Sequence, residues 1–208
     1  MGGGKSSSWG GGGGGGSNPI ATQDLISNRE RLTTEVDQVL TVLKDVEKQY
    51  GINTDTEIGI FRSGDSTLGY FDPNNGNIGM NKAYFNSDSM DAVMDEQARI
   101  GYHPSRGNKS GIEAVMAHEA GHKLNYALEG RAGEKGNASI IAKSIVEDSA
   151  KQLGYKNSAN MARKISKYAT ENYKEAIAEA FSDVYCNGKN AKKESRTIVD
   201  NLNKRLGG

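Results

Sequence analysis

One short motif combines residue types and a spacing that suit metal chemistry. It reads His118-Glu119-Ala120-Gly121-His122, which fits the pattern H-E-x-x-H. On a helix, positions i and i+4 share a face, so both imidazoles are expected to aim at one point with Glu119 beside it. Zinc takes nitrogen ligands, and a catalytic zinc site keeps one position open for a water whose proton a neighbouring carboxylate can accept. The motif therefore predicts a Zn²⁺ site with His118 and His122 as ligands and Glu119 as general base.

The motif lies in a segment that has a helical pattern. Ser110 and Glu113 form a capping box, which marks the start of a helix. Apolar residues then recur at helical spacing, namely Ile112, Val115, Met116, Ala120, Leu124, Ala127 and Leu128. Gly121 leaves room for another element to approach the helix closely. The alternative interpretation is a pair of surface histidines on an ordinary core helix.

A second helical segment offers the anionic ligand that two histidines need. Glu175, Glu179 and Asp183 stand at i, i+4 and i+8, on one face beside an apolar stripe. Acids stacked in this way repel one another, and they require a cation or hydrogen-bond donors. We expect Glu179 to be the third ligand and Asp183 to accept the other ring N–H of a zinc histidine. Glu175 is the alternative ligand, and a solvated acidic face is the interpretation without a metal.

Together the two segments resemble the gluzincin branch of the zinc metallopeptidases. Thermolysin-like members follow H-E-x-x-H with E-x-x-x-D on a second helix, and this chain has E-A-F-S-D at 179–183. The resemblance implies a zincin fold, with a small sheet above the active helix and helices below it. It also implies hydrolysis of peptide bonds, with His118, His122 and Glu179 as ligands and Glu119 as base. The interval between the two helices is longer here than in thermolysin-like enzymes.

The chain is also similar to the compact zincin-like domains of bacteriophage structural and head-associated proteins. Those domains share its size and can carry low-complexity tails. This resemblance implies association with a virion and contact with phage structural proteins through the N-terminal tail. It leaves a second function open, namely a structural component of a phage particle with weak or no catalysis, in which zinc ties two helices together.

The rest of the sequence predicts an α+β fold, with a small antiparallel or mixed sheet packed on the active-site helix and a mostly helical C-terminal half. Residues 18–50 carry a helical apolar stripe. Three short alternating stretches, at 57–61, 67–71 and 77–81, predict strands.

The chain divides into a tail and one domain. Residues 1–17 are almost entirely Gly and Ser, which predicts a flexible tail. Residues 18–208 are expected to form one zincin-like metallopeptidase domain, long enough for a real core.

The amino-acid composition limits the classes of binding partner that we expect. Lys plus Arg equals Asp plus Glu, so the formal net charge of zero gives no general footprint for nucleic acid or membrane. A single cysteine, Cys186, rules out an intramolecular disulfide. The early part of the sequence contains no apolar run that would predict a signal peptide. We therefore expect a cytoplasmic or virion-associated protein with a polypeptide substrate.

A hydrolase of this kind also needs a donor for the oxyanion that forms on the attacked carbonyl. The candidates are His103, Tyr168, Tyr173 and Tyr185, and the sequence does not rank them. His103, the one histidine outside the motif, is alternatively a further ligand or a plain turn residue.

Overall fold

The computed structural model describes residues 18–20, 33–52, 58–61, 67–131 and 133–207, so the predicted tail at 1–17 lies outside it. Seven α-helices and four strands occur in this part of the chain. In order they are β1 (Asn18–Ile20), α1 (Thr33–Tyr50), β2 (Ile58–Phe61), β3 (Gly69–Phe71), β4 (Ile78–Asn81), α2 (Ser87–Arg99), α3 (Gly111–Tyr126), α4 (Ala138–Gln152), α5 (Ser158–Ile165), α6 (Tyr173–Asn187) and α7 (Lys193–Leu206). The predicted α+β class and the mostly helical C-terminal half are confirmed.

The sheet is mixed, with the strand order β1-β2-β4-β3. Strands β2 and β4 are parallel, whereas the two outer pairs are antiparallel. The prediction of one helical stretch over 18–50 is wrong at its start, because Asn18–Ile20 is an edge strand. The helix is present over Thr33–Tyr50, and positions 21–32 lie outside the described residues. Pro19 lacks an amide N–H and fixes its own φ, which suits an edge strand.

Helix α3 is the centre of the fold, with β3 on one side and α1, α2 and α6 around it. The predicted capping box is confirmed: the Glu113 amide donates to Ser110 Oγ at 3.1 Å, and the Ser110 amide donates to Glu113 Oε2 at 2.9 Å. Nearly all of α3 is buried. The one-sided stripe read from the sequence understates this burial, because a sheet and several helices cover the helix together.

Strand β3 lies directly on α3 because it begins with a glycine. A Cβ added to Gly69 would stand 3.1 Å from Val115 Cγ1 and 3.1 Å from the Gly79 carbonyl oxygen. Both distances are tighter than ordinary carbon contacts, so a larger residue would push the strand away from the helix.

Among the helices of the described ranges, none combines the length and the apolar character that crossing a membrane requires.

Candidate metal centre

Helices α3 and α6 meet almost backbone to backbone at the turn that carries the motif. A Cβ added to Gly121 would lie 2.8 Å from Ala178 Cα and 3.1 Å from Phe181 Cβ. The space predicted at Gly121 is therefore filled by α6. This contact brings the acidic face of α6 against the two motif histidines.

Three ligand atoms converge where the helices meet. The Nε2 atoms of His118 and His122 lie 3.1 and 3.2 Å from Glu175 Oε2. The two Nε2 atoms are 3.2 Å apart. All three side chains are completely buried, and this group could hold a metal ion.

The structure places Glu175, and not the expected Glu179, beside the two Nε2 atoms. Glu175, the alternative in the sequence analysis, lies at the point between the two Nε2 atoms. Glu179 lies on the opposite edge of the first imidazole, with Oε1 2.9 Å from His118 Nδ1. The register between α3 and α6 explains why Glu175, and not Glu179, lies there. They pack antiparallel, with His122 beside Glu175 and His118 beside Glu179, so Glu179 sits one turn beyond the point of convergence.

Glu179 instead holds His118 in place. A carboxylate on Nδ1 fixes the tautomer and the ring orientation that leave Nε2 for a metal. This is the role that the sequence assigned to Asp183. Two further groups engage Glu179: His103 Nδ1 at 3.0 Å from Oε1, and the Ser166 hydroxyl, which donates to Oε2 at 2.6 Å.

Asp183 has a structural role, contrary to its predicted position beside a zinc histidine. Its Oδ2 accepts the Lys192 backbone N–H at 3.0 Å and the Ser195 hydroxyl at 2.6 Å. Its Oδ1 accepts from Asn187 at 2.9 Å. These bonds cap the N-terminus of α7, where Lys192 offers no side-chain cap of its own. The sequence pattern missed this partner because α7 returns to α6 only in the folded chain.

All three histidines of the chain meet in this cluster. Of the four candidate oxyanion donors, two lie near it: the ring of Tyr168 is centred 5.1 Å from that of His103 and 6.0 Å from that of His118. Tyr173 and Tyr185 hydrogen-bond elsewhere, to Glu147 and Asp45 respectively. Ser166 was not predicted, and no local pattern marks it.

Glu119 faces the sheet and not α6. A Cβ on Gly69 of β3 would lie 3.3 Å from Glu119 Oε1. The side chain is 1% exposed, and neither oxygen makes a hydrogen bond within the described part of the chain. Burial raises the pKa of Glu119 to about 8, with Glu175 and Glu179 adding to the rise and His118 opposing it. An acid buried without a hydrogen-bond partner is costly, and such a group beside a cluster of possible metal ligands is a candidate for a role in the site.

The pKa values of the two motif histidines are shifted in opposite directions. Burial lowers the pKa of His118, but its hydrogen bonds to Glu175 and Glu179 outweigh burial and raise that pKa to about 9. The pKa of His122 is lowered, first by burial, with the charges of His118 and Lys174 adding to the effect. The carboxylates on either side of His118 therefore favour its protonated form when no metal is bound.

The donor set fits zinc by its chemistry. Two imidazole nitrogens and one carboxylate oxygen are the ligands of one familiar class of catalytic zinc sites. Within the described residues, the two carboxylate oxygens of Glu119 accept no hydrogen bond, which fits a general base next to the ligand atoms. No protein-family profile and no curated protein matches the chain, so these residues carry the functional argument.

Proposed function

We propose that the protein is a zinc-dependent peptidase with a zincin-like fold, in which His118, His122 and Glu175 hold the metal and Glu119 is the general base. The convergence of the two Nε2 atoms on Glu175 Oε2 within 3.2 Å carries this proposal. When bound in such a set, zinc supplies a Lewis acid that acidifies water and polarises a carbonyl.

The residues of the chain divide the remaining work. Glu179, held by His103 and Ser166, keeps His118 oriented. Glu119 accepts a proton at its carboxylate, and a positive charge in the ligand set brings its raised pKa back toward neutrality. His103 and Tyr168 stand close enough to the cluster to serve as oxyanion donors.

The substrate is a polypeptide, bound along β3. That strand is an outer strand of the described sheet, and it lies over α3 next to Glu119. An extended peptide can add to such an edge through main-chain hydrogen bonds. In this arrangement the peptide crosses the helix that carries the base.

The test compares the wild-type protein with Glu119→Gln on unfolded casein, with and without a chelator. We expect hydrolysis by the wild type only, and one equivalent of zinc in both proteins by metal analysis. Glu147→Gln, on the exposed side of α4, is the matched control and should cleave like the wild type. A wild-type protein that purifies without zinc and takes up none would refute the whole proposal.

One observation favours a second function. His118, His122, Glu175 and Glu179 are all 0% exposed, so the ligand atoms are shielded from solvent. A metal in such a position ties α3 to α6, as expected for a structural component of a phage particle with weak or no catalysis. Full zinc occupancy, together with equal silence of wild type and Glu119→Gln on casein, would favour this alternative.

A further inference from the structure

Lys174 is a buried cation that the proposed mechanism does not use. It precedes Glu175 on α6 and is only 8% exposed. Its Nζ lies 3.3 Å from the Tyr126 hydroxyl and 5.5 Å from the centre of the Tyr126 ring. No carboxylate within the described residues forms an ion pair with it. A buried ammonium group held by one neutral hydroxyl is costly, since ammonium groups in proteins are normally paired.

The surroundings of Lys174 are also positive. It stands in the first turn of α6, where the helix dipole places partial positive charge. Glu175 Oε2 lies between the two motif histidines, and no ion pair joins this carboxylate to Lys174.

The position of Lys174 ties it to the metal centre. Tyr126 is one turn beyond His122 on α3, and its ring packs 5.3 Å from that of Phe71 on β3. Lys174 therefore lies where the end of α3, the start of α6 and the proposed peptide-binding strand meet. Among the described residues, Lys174 is the buried cation that lacks an ion pair, and an anionic group of a substrate bound along β3 would meet it there.

Building on the proposed peptidase function, we propose that Lys174 and the Tyr126 hydroxyl bind a carboxylate of the substrate on the His122 side of the metal centre. The ammonium and the hydroxyl both donate to the carboxylate, and charge-assisted bonds of this kind are the strong ones. The carboxylate comes either from the C-terminus of the substrate or from an acidic side chain. The first source makes the enzyme act on chain ends, and the second makes it select acidic sequences.

Binding is measured by calorimetry on zinc-loaded Glu119→Gln protein, which should not turn the probes over. The probes are acetyl-trialanine with a free C-terminus, its C-terminal amide, and the same amide with a glutamate as last residue. We expect at least one carboxylate probe to bind roughly tenfold to a hundredfold more tightly than the neutral amide. Preference for the free terminus identifies the α-carboxylate, and preference for the glutamate amide identifies the side chain.

Variants locate the effect. Lys174→Met should remove the preference, and Lys174→Arg, which keeps the charge, should restore much of it. Lys164→Met, an exposed lysine on α5, should leave the preference intact. If the protein with Lys174 unchanged binds all three probes equally, the inference is overturned, whether or not the Lys174 variants fold. Zinc content and casein hydrolysis of the wild type are independent readouts, so the peptidase proposal can survive that result.

Discussion

The close contact of α3 with α6 can be tested by adding one methyl group. In Gly121→Ala the new Cβ would stand 2.8 Å from Ala178 Cα and 3.1 Å from Phe181 Cβ. Carbon atoms normally approach to about 3.5–4.0 Å, so α6 must retreat by roughly 0.7 Å or more. The first clash is with backbone, which no side-chain rotation relieves.

The magnitude follows from two opposing effects. Overpacking costs about 1–3 kcal/mol, whereas alanine in a helix interior gains about 1 kcal/mol over glycine. Because the first clash is with backbone, we expect a cost in the upper part of that range, about 2–3 kcal/mol, and a net loss of about 1–2 kcal/mol. For a domain of this size that lowers the Tm of the metal-free protein by roughly 2–8 °C.

Metal binding should suffer more than stability. Glu175 moves with α6, and metal sites tolerate distance changes of only about 0.2 Å. We expect zinc affinity, measured by competition with a chromophoric chelator, to fall at least about tenfold.

Gly111→Ala is the matched control. Its Cβ would meet the backbone of Met90 at 2.6 Å, so the same substitution on the same helix produces the same kind of clash. It lies about 15 Å along α3 from Gly121, since ten residues of helix span that length. It should lower the Tm without changing zinc affinity. Equal zinc affinity in the two variants, or an unchanged Tm in Gly121→Ala, would refute the reasoning.

Three further predictions follow from the site. Glu175→Gln should abolish tight zinc binding, whereas Glu179→Gln should weaken it roughly 10–100-fold because His118 is no longer held in place. Competition with a chelator measures both affinities. A greater loss of affinity in Glu179→Gln than in Glu175→Gln would restore Glu179 as the ligand. Asp183→Asn should cost about 1 kcal/mol of stability in a urea titration through the lost cap of α7, with zinc affinity unchanged; a loss of zinc would return Asp183 to the metal site. Burial alone raises the pKa of Glu179, but His103 and His118 outweigh it and lower the pKa from 4.5 to about 2. Since the folded pKa is the lower one, the contribution of Glu179 to stability is complete above pH 4.5 and is lost as the pH falls toward about 2. Urea midpoints of the metal-free wild type should therefore drop across that window more steeply than those of Glu179→Gln, and parallel curves would contradict this.

Features that depend on neighbours in sequence were predictable. The i, i+4 spacing of the histidines, the capping box at Ser110 and Glu113, and the helical period around them all act within one helix. The structure has each of them. The alternating stretches likewise predicted β2, β3 and β4 to within two residues.

Features that depend on the register between helices were not predictable. Glu175 and Glu179 share one face of α6, so periodicity cannot distinguish them. The antiparallel packing at Gly121 and Ala178 selects Glu175. Ser166 is a small polar residue at the end of α5, and it acquires its role only when that end meets α6.

The sequence left an antiparallel and a mixed sheet open, and it did not identify which strands form the parallel pair. Strands β2 and β4 are not consecutive, and β3 lies between them in the chain although it pairs on the far side of β4. Neighbouring alternating stretches favour hairpins, which are antiparallel.

The long interval between the two halves of the metal centre has a consequence during synthesis. Glu175 follows the motif histidines only after α4 and α5 have been made. A chain emerging from the ribosome thus exposes two imidazoles long before the carboxylate that completes the proposed set. Contacts between such distant segments form late in folding, because the intervening loop must first be closed. With this ligand set, tight metal binding requires a chain that has been synthesised and folded through α6. A shorter or partly folded product would release the ion.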